Sequence, residues 1–201
     1  MTTETGICNL ALSHLGVAKT IADLTTERSV EAGACRAFYE TSRDEMLRDG
    51  YWPFAKRIVA LALVESAPND LWAYSYRYPA DCKRALRIPN GSRVDTEQTK
   101  VQFDISSDAT ARLIFCDLSD AELEYTALIT DTSLFDSDFI MALSLRLATY
   151  IAPRVTAGDA FKLGDRSRQL FAMSYTKAMA THGNETVEAG NPSSEFERAR
   201  Q

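Results

Sequence analysis

The residues that narrow the chemistry of this 201-residue chain fastest are its two histidines, its four cysteines and one run of alternating aromatics. A nucleophilic triad needs a nucleophile, a histidine base and an orienting acid. His14 falls inside the first helical stretch, where packing or hydrogen bonding is its ordinary role. His182 falls where the sequence turns polar, a poor place to hold catalytic geometry. Cys8, Cys35, Cys82 and Cys116 are dispersed without a CxxC pair, so they read as small buried hydrophobes rather than metal ligands. The glycines stand singly, and neither GxGxxG nor GxxxxGK[ST] occurs, which leaves nucleotide binding without support. Asp117, Asp120, Glu122 and Glu124 cluster around one loop-to-strand junction. Paired carboxylates can hydrolyse glycosides, but among 28 acidic residues such a cluster is the expected outcome of turn chemistry and solvated charge. No catalytic, metal-binding or cofactor-binding residue is expected.

Trp72, Tyr74, Tyr76 and Tyr78 alternate with Ala73, Ser75 and Arg77, which projects four aromatics from one side of a strand. Aromatics with a polar tip serve core, subunit interface or base stacking. Stacking platforms for nucleic acid sit in basic grooves, whereas this chain carries a net charge of −6. An acidic subunit gains nothing from counterion release on DNA. The row is therefore assigned to core or subunit interface, with Tyr74, Tyr76 and Tyr78 as interface candidates. The opening MTTETGICNL lacks a basic start and apolar run. The longest apolar stretch, 139–151, is interrupted by Ser144, Arg146 and Thr149, short of the roughly 18 residues a membrane span requires. A soluble protein made in a cytoplasm is expected.

The elements that position these residues follow from periodicity. Ile7, Leu10, Ala11 and Leu15 share a helical stripe that Gly16 ends. A second helix is expected after Thr25 or Thr26 and runs to about Asp49, with Cys35, Phe38, Ser42 and Met46 along one face and Gly50 as its stop. Arg43, Asp44, Glu45, Arg48 and Asp49 read as a solvated face. The middle third changes to period two. Strand candidates 84–88, 100–105, 111–116 and 122–127 are separated in part by Pro89-Asn90-Gly91 and Ser106-Ser107-Asp108. Helical period then returns: Asp136 or Ser137 caps a core helix bearing Phe139, Ala142, Leu143, Leu147, Tyr150 and Ile151, which Pro153 kinks or ends. Asp159 is the expected next cap. A final helix carries Phe161, Leu163, Leu170 and Met173 and fades near Thr181. From 182 onward the composition does not support independent folding. The fold class is α+β, mainly α: a bundle of about four helices (1–55 and 134–181) with an inserted antiparallel β-region (56–133) and an extended C-terminal arm (182–201).

Four segments in order resemble the head-to-tail adaptor, or tail tubular protein A, family of podoviruses. They are ICNLALSHLG, ACRAFYETSRDEMLRDGYWPFAKR with Trp52-Pro53-Phe54, YSYRYPADCKRALRI with Tyr76, Pro79, Asp81 and Cys82, and DFIMALSLRLATYIAPRVT. They span residues 6 to about 156. The resemblance implies a structural virion protein in the neck of a phage tail. It implies a homo-oligomeric ring of about twelve copies that joins the portal protein to the tail nozzle and lets double-stranded DNA pass without specific binding. It also implies that the C-terminal arm docks on the portal. There Phe196 would insert as an aromatic anchor, with Arg198 and Arg200 pairing at the rim. No catalytic residue carries over. The alternatives are a virion-associated glycan hydrolase using paired carboxylates, or a generic helical interaction module.

Overall fold

A computed structural model describes residues 3–91, 99–159 and 161–185. The chain is α+β, with four α-helices and two small antiparallel sheets among the described residues. It divides into two compact units, one made of Met1–Lys56 with Thr126–His182, the other with Arg57–Tyr125 as its body.

The first unit is helical. Helix α1 (Glu4–His14) starts where the Thr3 hydroxyl accepts the Gly6 amide at 3.1 Å, the side-chain cap that satisfies one of the free N–H groups of a helix start. It ends at Gly16, whose φ of +69° suits glycine. The amides of Gly16 and Val17 turn back onto the carbonyls of Ser13 and Leu12, the paired bonds of a Schellman stop. Helix α2 (Val30–Asp49) begins later than expected. Its cap is Ser29, which accepts the Ala32 amide, because both threonines are already committed to a turn around Asp23.

Along α2, Cys35, Ser42 and Met46 are buried as expected, and Tyr39 joins them while Phe38 is only half-buried. The expected solvated face is corrected at Arg43, which is 6% exposed and bonded to Asp44. Glu45 and Asp49 face Arg146 of the next helix and hold its guanidinium at 2.8 and 2.7 Å. A ladder of charges on α2 thus becomes a clamp between α2 and α3 (Ser137–Val155).

Asp136 occupies the N-cap of α3. Phe139, Ala142, Leu143, Leu147 and Ile151 are fully buried, while Tyr150 turns outward to give its hydroxyl proton to Glu45. Pro153 does not end the helix, which continues to Val155. A proline so close to the end forfeits little of the hydrogen-bond ladder. Both carboxylate oxygens of Asp159 accept amides at the start of α4 (Leu163–Glu185), those of Leu163 and Gly164. Helix α4 runs past the expected end. Of the apolar residues expected on it, Leu170 and Met173 are exposed, and Phe161, which precedes the helix, is 84% exposed. Its buried residues include Ser167, Ala178 and His182 instead.

Trp52 organises this unit. It is 1% exposed, donates Nε1–H to the Met46 carbonyl at 2.7 Å, and meets Phe139 edge-on at 4.8 Å between ring centres. Tyr175 and His182 of α4 abut the same indole. Gly50 is bare because the indole lies over it: a Cβ there would come within 2.5 Å of Nε1.

The second unit is built of strands. One sheet has the order β1-β7-β4, from Lys56–Ala60, Glu122–Ala127 and Cys82–Arg87. The other has the order β2-β3-β6-β5, from Leu63–Ser66, Tyr74–Arg77, Arg112–Cys116 and Phe103–Ser107. In its antiparallel register Tyr76 faces Ile114, and Ile105 faces Ile114 from the other side. Strands β1 and β2 have no counterpart among the sequence expectations. Both lie at sheet edges with Ile58, Val59, Leu63 and Val64 exposed, so they lack the one-sided burial that would print an alternating pattern.

Candidate interaction site

The tyrosine row is the sequence feature with the most structure behind it. Only Tyr74–Arg77 is strand, and Trp72 precedes it with its amide on the Asn69 side chain. Tyr74 is half-buried. Tyr76, at 1% exposure, donates its hydroxyl proton to the Leu118 carbonyl at 2.8 Å. Tyr78 is buried as well, and the Arg112 guanidinium lies over its ring at 4.0 Å. Burial, before any neighbouring charge, pushes the Tyr78 hydroxyl up to about 12. The rings of Tyr76 and Tyr78 are thus spent on the core of their own unit, which leaves Tyr74 as the member with free surface. An alternating row reports the side of a strand and not what covers that side.

Beyond Tyr78 the chain turns through Pro79, whose carbonyl accepts the Cys82 amide at 3.0 Å, and enters β4. Asp81 at this turn joins all three strands of the first sheet. It receives Arg57 of β1 at 2.8 Å and the Tyr125 hydroxyl of β7 at 3.0 Å. The Arg87–Glu124 pair repeats the link farther along β4 and β7 at 2.9 Å. Burial raises the Cys82 thiol and the Tyr125 hydroxyl, and for Tyr125 the Asp81 carboxylate adds to the effect.

Tyr78, Asp81, Cys82 and Tyr125 border a cleft of about 550 Å³. Val59, Leu61, Pro79 and Ala80 supply apolar lining, Cys82 and Tyr125 lie deeper, and Arg77 and Arg112 supply the positive charge. Arg77 is shared with Asp108 at 3.6 Å and with Thr110. The lining is an apolar wall with few polar groups. Sequence reasoning found Tyr78 and Asp81 but missed Arg112 and the β1 wall. The local signal for the β1 wall is an apolar run at 58–64, with no turn residue to divide it.

The residues weighed for catalysis go elsewhere. His14 Nε2 lies 3.1 Å from the Ser144 hydroxyl, the spacing of a base and its nucleophile. Ser144 is fully buried, however, and its single proton is given to the Met141 carbonyl at 2.8 Å. The imidazole must therefore be the donor, and the pair ties α1 to α3. Burial lowers the His14 pKa from its ordinary value. His182 is corrected: it lies within α4, 4% exposed against Trp52, and not in a polar tail. Of the clustered acids, Asp117 accepts the Ala73 amide, Asp120 occupies a left-handed turn at φ +52°, and Glu124 is buried against Arg87. The four cysteines are free and buried; a hydrogen bond with Cys35 and then burial raise the Cys8 thiol. Among the described residues, no group of three His, Cys, Asp or Glu side chains could hold a metal ion, and no helix is long and apolar enough to cross a membrane. Phe196, Arg198 and Arg200 lie outside the described residues.

Compared with protein-family models and with curated proteins, the chain matches none.

Proposed function

We propose that the chain is a structural subunit of a phage virion: a head-to-tail adaptor that assembles into a ring, docks on the portal through its C-terminal segment and receives the tail nozzle. Its work on this reading is docking and sealing, without catalysis or cofactor. One observation carries the reading furthest. A closed ring is built from heterologous contacts, in which one face of a subunit meets a different face of its neighbour. Large apolar side chains are exposed at two unlike places, Ile58, Leu63 and Val64 on the edge strands and Phe161 and Met173 at α4. Exposed large apolar side chains such as these are available to contacts between subunits.

The residues of the resemblance support the same reading. Gly16 stops α1, Trp52 anchors the helical unit, Asp81 ties three strands and the 139–151 stripe is its core. They maintain a scaffold rather than line a reaction centre. A net charge of −6 suits a conduit in which DNA must slide and not stick.

Electron microscopy of the purified chain, alone and mixed with its cognate portal, tests the proposal. Closed rings, or rings seated on the portal, are the expected images. A species that stays monomeric under both conditions overturns it. Co-sedimentation with portal-bearing heads tests the arm: Phe196→Ala should weaken attachment, and Arg198→Ala with Arg200→Ala should weaken it further.

A further inference from the structure

We propose that Cys8 and Cys35 are a redox pair, which a peroxide oxidises to a disulfide that staples α1 to α2. The proposal goes beyond the adaptor reading and does not depend on it.

All four cysteines are buried, yet their placement divides them. Cys8 on α1 and Cys35 on α2 belong to the helical unit, Cys82 and Cys116 to the strand unit. Cys8 and Cys35 are both fully buried, and their thiols are hydrogen-bonded to each other. A cysteine that serves only as a small hydrophobe needs no second thiol beside it.

The segment between the helices fixes the backbone on both sides of the pair. Asn9, next to Cys8, accepts the Ile21 amide at 2.7 Å and donates to the Ile21 carbonyl at 2.9 Å. Arg36, next to Cys35, donates to the carbonyls of Leu24 and Glu27 at 2.5 and 2.7 Å. The fold therefore holds the two sulfurs together before any bond joins them, and such placement decides whether two cysteines can be bridged.

The two thiols are not equivalent. The hydrogen bond from Cys8 lowers the Cys35 thiol from its ordinary value, burial opposes it, and the Arg36 guanidinium assists. At Cys8 the bond with Cys35 and then burial both raise the thiol. Cys35 is thus the sulfur that attacks. It takes one peroxide oxygen, the O–O bond breaks, and the Cys35 proton leaves with the second oxygen as water, so that a sulfenic acid remains. The Cys8 sulfur then attacks the Cys35 sulfur. The S–O bond breaks, and the hydroxyl leaves as water with the Cys8 proton. The two cysteines give up two electrons in all, and the peroxide gains them. Hydrogen peroxide is scarcely larger than water. It reaches the pair as α1, the shortest α-helix among the described residues, opens locally.

The folded full-length chain is treated with hydrogen peroxide, quenched with catalase, unfolded, alkylated with N-ethylmaleimide and mapped by mass spectrometry. One intramolecular disulfide, between Cys8 and Cys35, is expected, with Cys82 and Cys116 outside any bridge. Closing the loop 9–34 restricts the unfolded chain and should raise the melting temperature by about 10 °C, a rise that dithiothreitol reverses. In Cys8→Ser the reversible rise should vanish, and dimedone should trap Cys35 as its sulfenic acid. The mapping uses the unsubstituted chain, so it decides the pairing even where Cys8→Ser fails to fold. Cys8 and Cys35 both alkylated after oxidation, either of them bridged to Cys82 or Cys116, or a reversible rise that survives in Cys8→Ser, overturns the proposal.

Discussion

Replacing Gly50 with alanine tests whether the Trp52 indole organises the helical unit. The added Cβ would lie 2.5 Å from Nε1 and 2.8 Å from Cε2. Neither contact is tolerable, so the indole must shift. The shift strains its hydrogen bond to Met46 and its edge contact with Phe139, and overpacking of this kind costs about 1–3 kcal/mol. Trp52→Ala instead removes a ring that is 1% exposed, and a cavity of that size costs about 3–5 kcal/mol.

The two substitutions should not add. With the indole gone, the nearest neighbour left to the new methyl is the flexible Met179 Cε at 3.2 Å. The backbone φ of −104° is one that alanine adopts freely. Gly50→Ala should then be near neutral, since alanine also restricts the unfolded chain. The coupling between the positions is therefore about 1–3 kcal/mol. Equilibrium urea unfolding of the four proteins of the cycle, followed by circular dichroism, measures it. Costs that simply add, or a Trp52→Ala protein within about 0.5 kcal/mol of the parent, would refute the reasoning.

Other perturbations reach other parts of the molecule. His14 has a folded pKa below its ordinary 6.5 because burial disfavours its charged form. The neutral imidazole therefore contributes stability above pH 6.5 that is lost as pH falls through the lower folded value. Melting temperatures between pH 5 and 7 should fall with acid in the parent and less steeply in His14→Gln, and parallel curves would show that His14 is not the titrating group. Asp81→Ala leaves the Tyr125 hydroxyl without its acceptor, at about 1–2 kcal/mol. The exposed Arg57 pair adds little. Hydrogen exchange should quicken first in β1, β4 and β7, and unchanged protection there would show that Asp81 does not join the strands. Truncation after Thr181 strips His182 from Trp52 and should lower the melting temperature relative to truncation after Glu185. Equal melting temperatures would mean that the last turn of α4 contributes nothing to the indole's environment.

Local rules carried the sequence reading a long way, and they failed in one consistent manner. Several helix ends were legible from residues close in sequence: Gly16 and Gly50 as stops, Asp136 and Asp159 as starts. The same holds for the α3 stripe, since a core helix prints its burial as a period. The start of α2 was misplaced because Thr25 and Thr26 satisfy every local criterion for a cap, and only the Asp23 turn removes them.

What tertiary structure alone decided is which surfaces are covered. Alternation put Tyr74, Tyr76 and Tyr78 on one side of a strand, but pairing with β6 and the Leu118 carbonyl chose Tyr76 for the core. His182 is a polar residue placed inside against Trp52, far from it in sequence, Arg43 is buried although its bonded partner is the adjacent Asp44, and Phe161 and Met173 are apolar residues that nothing described covers. The cleft at Tyr78 depends on β1, the Pro79 turn and β6 arriving together. Periodicity is a property of one segment, whereas burial is a property of the pair of surfaces that meet, and the second surface is not written in the first.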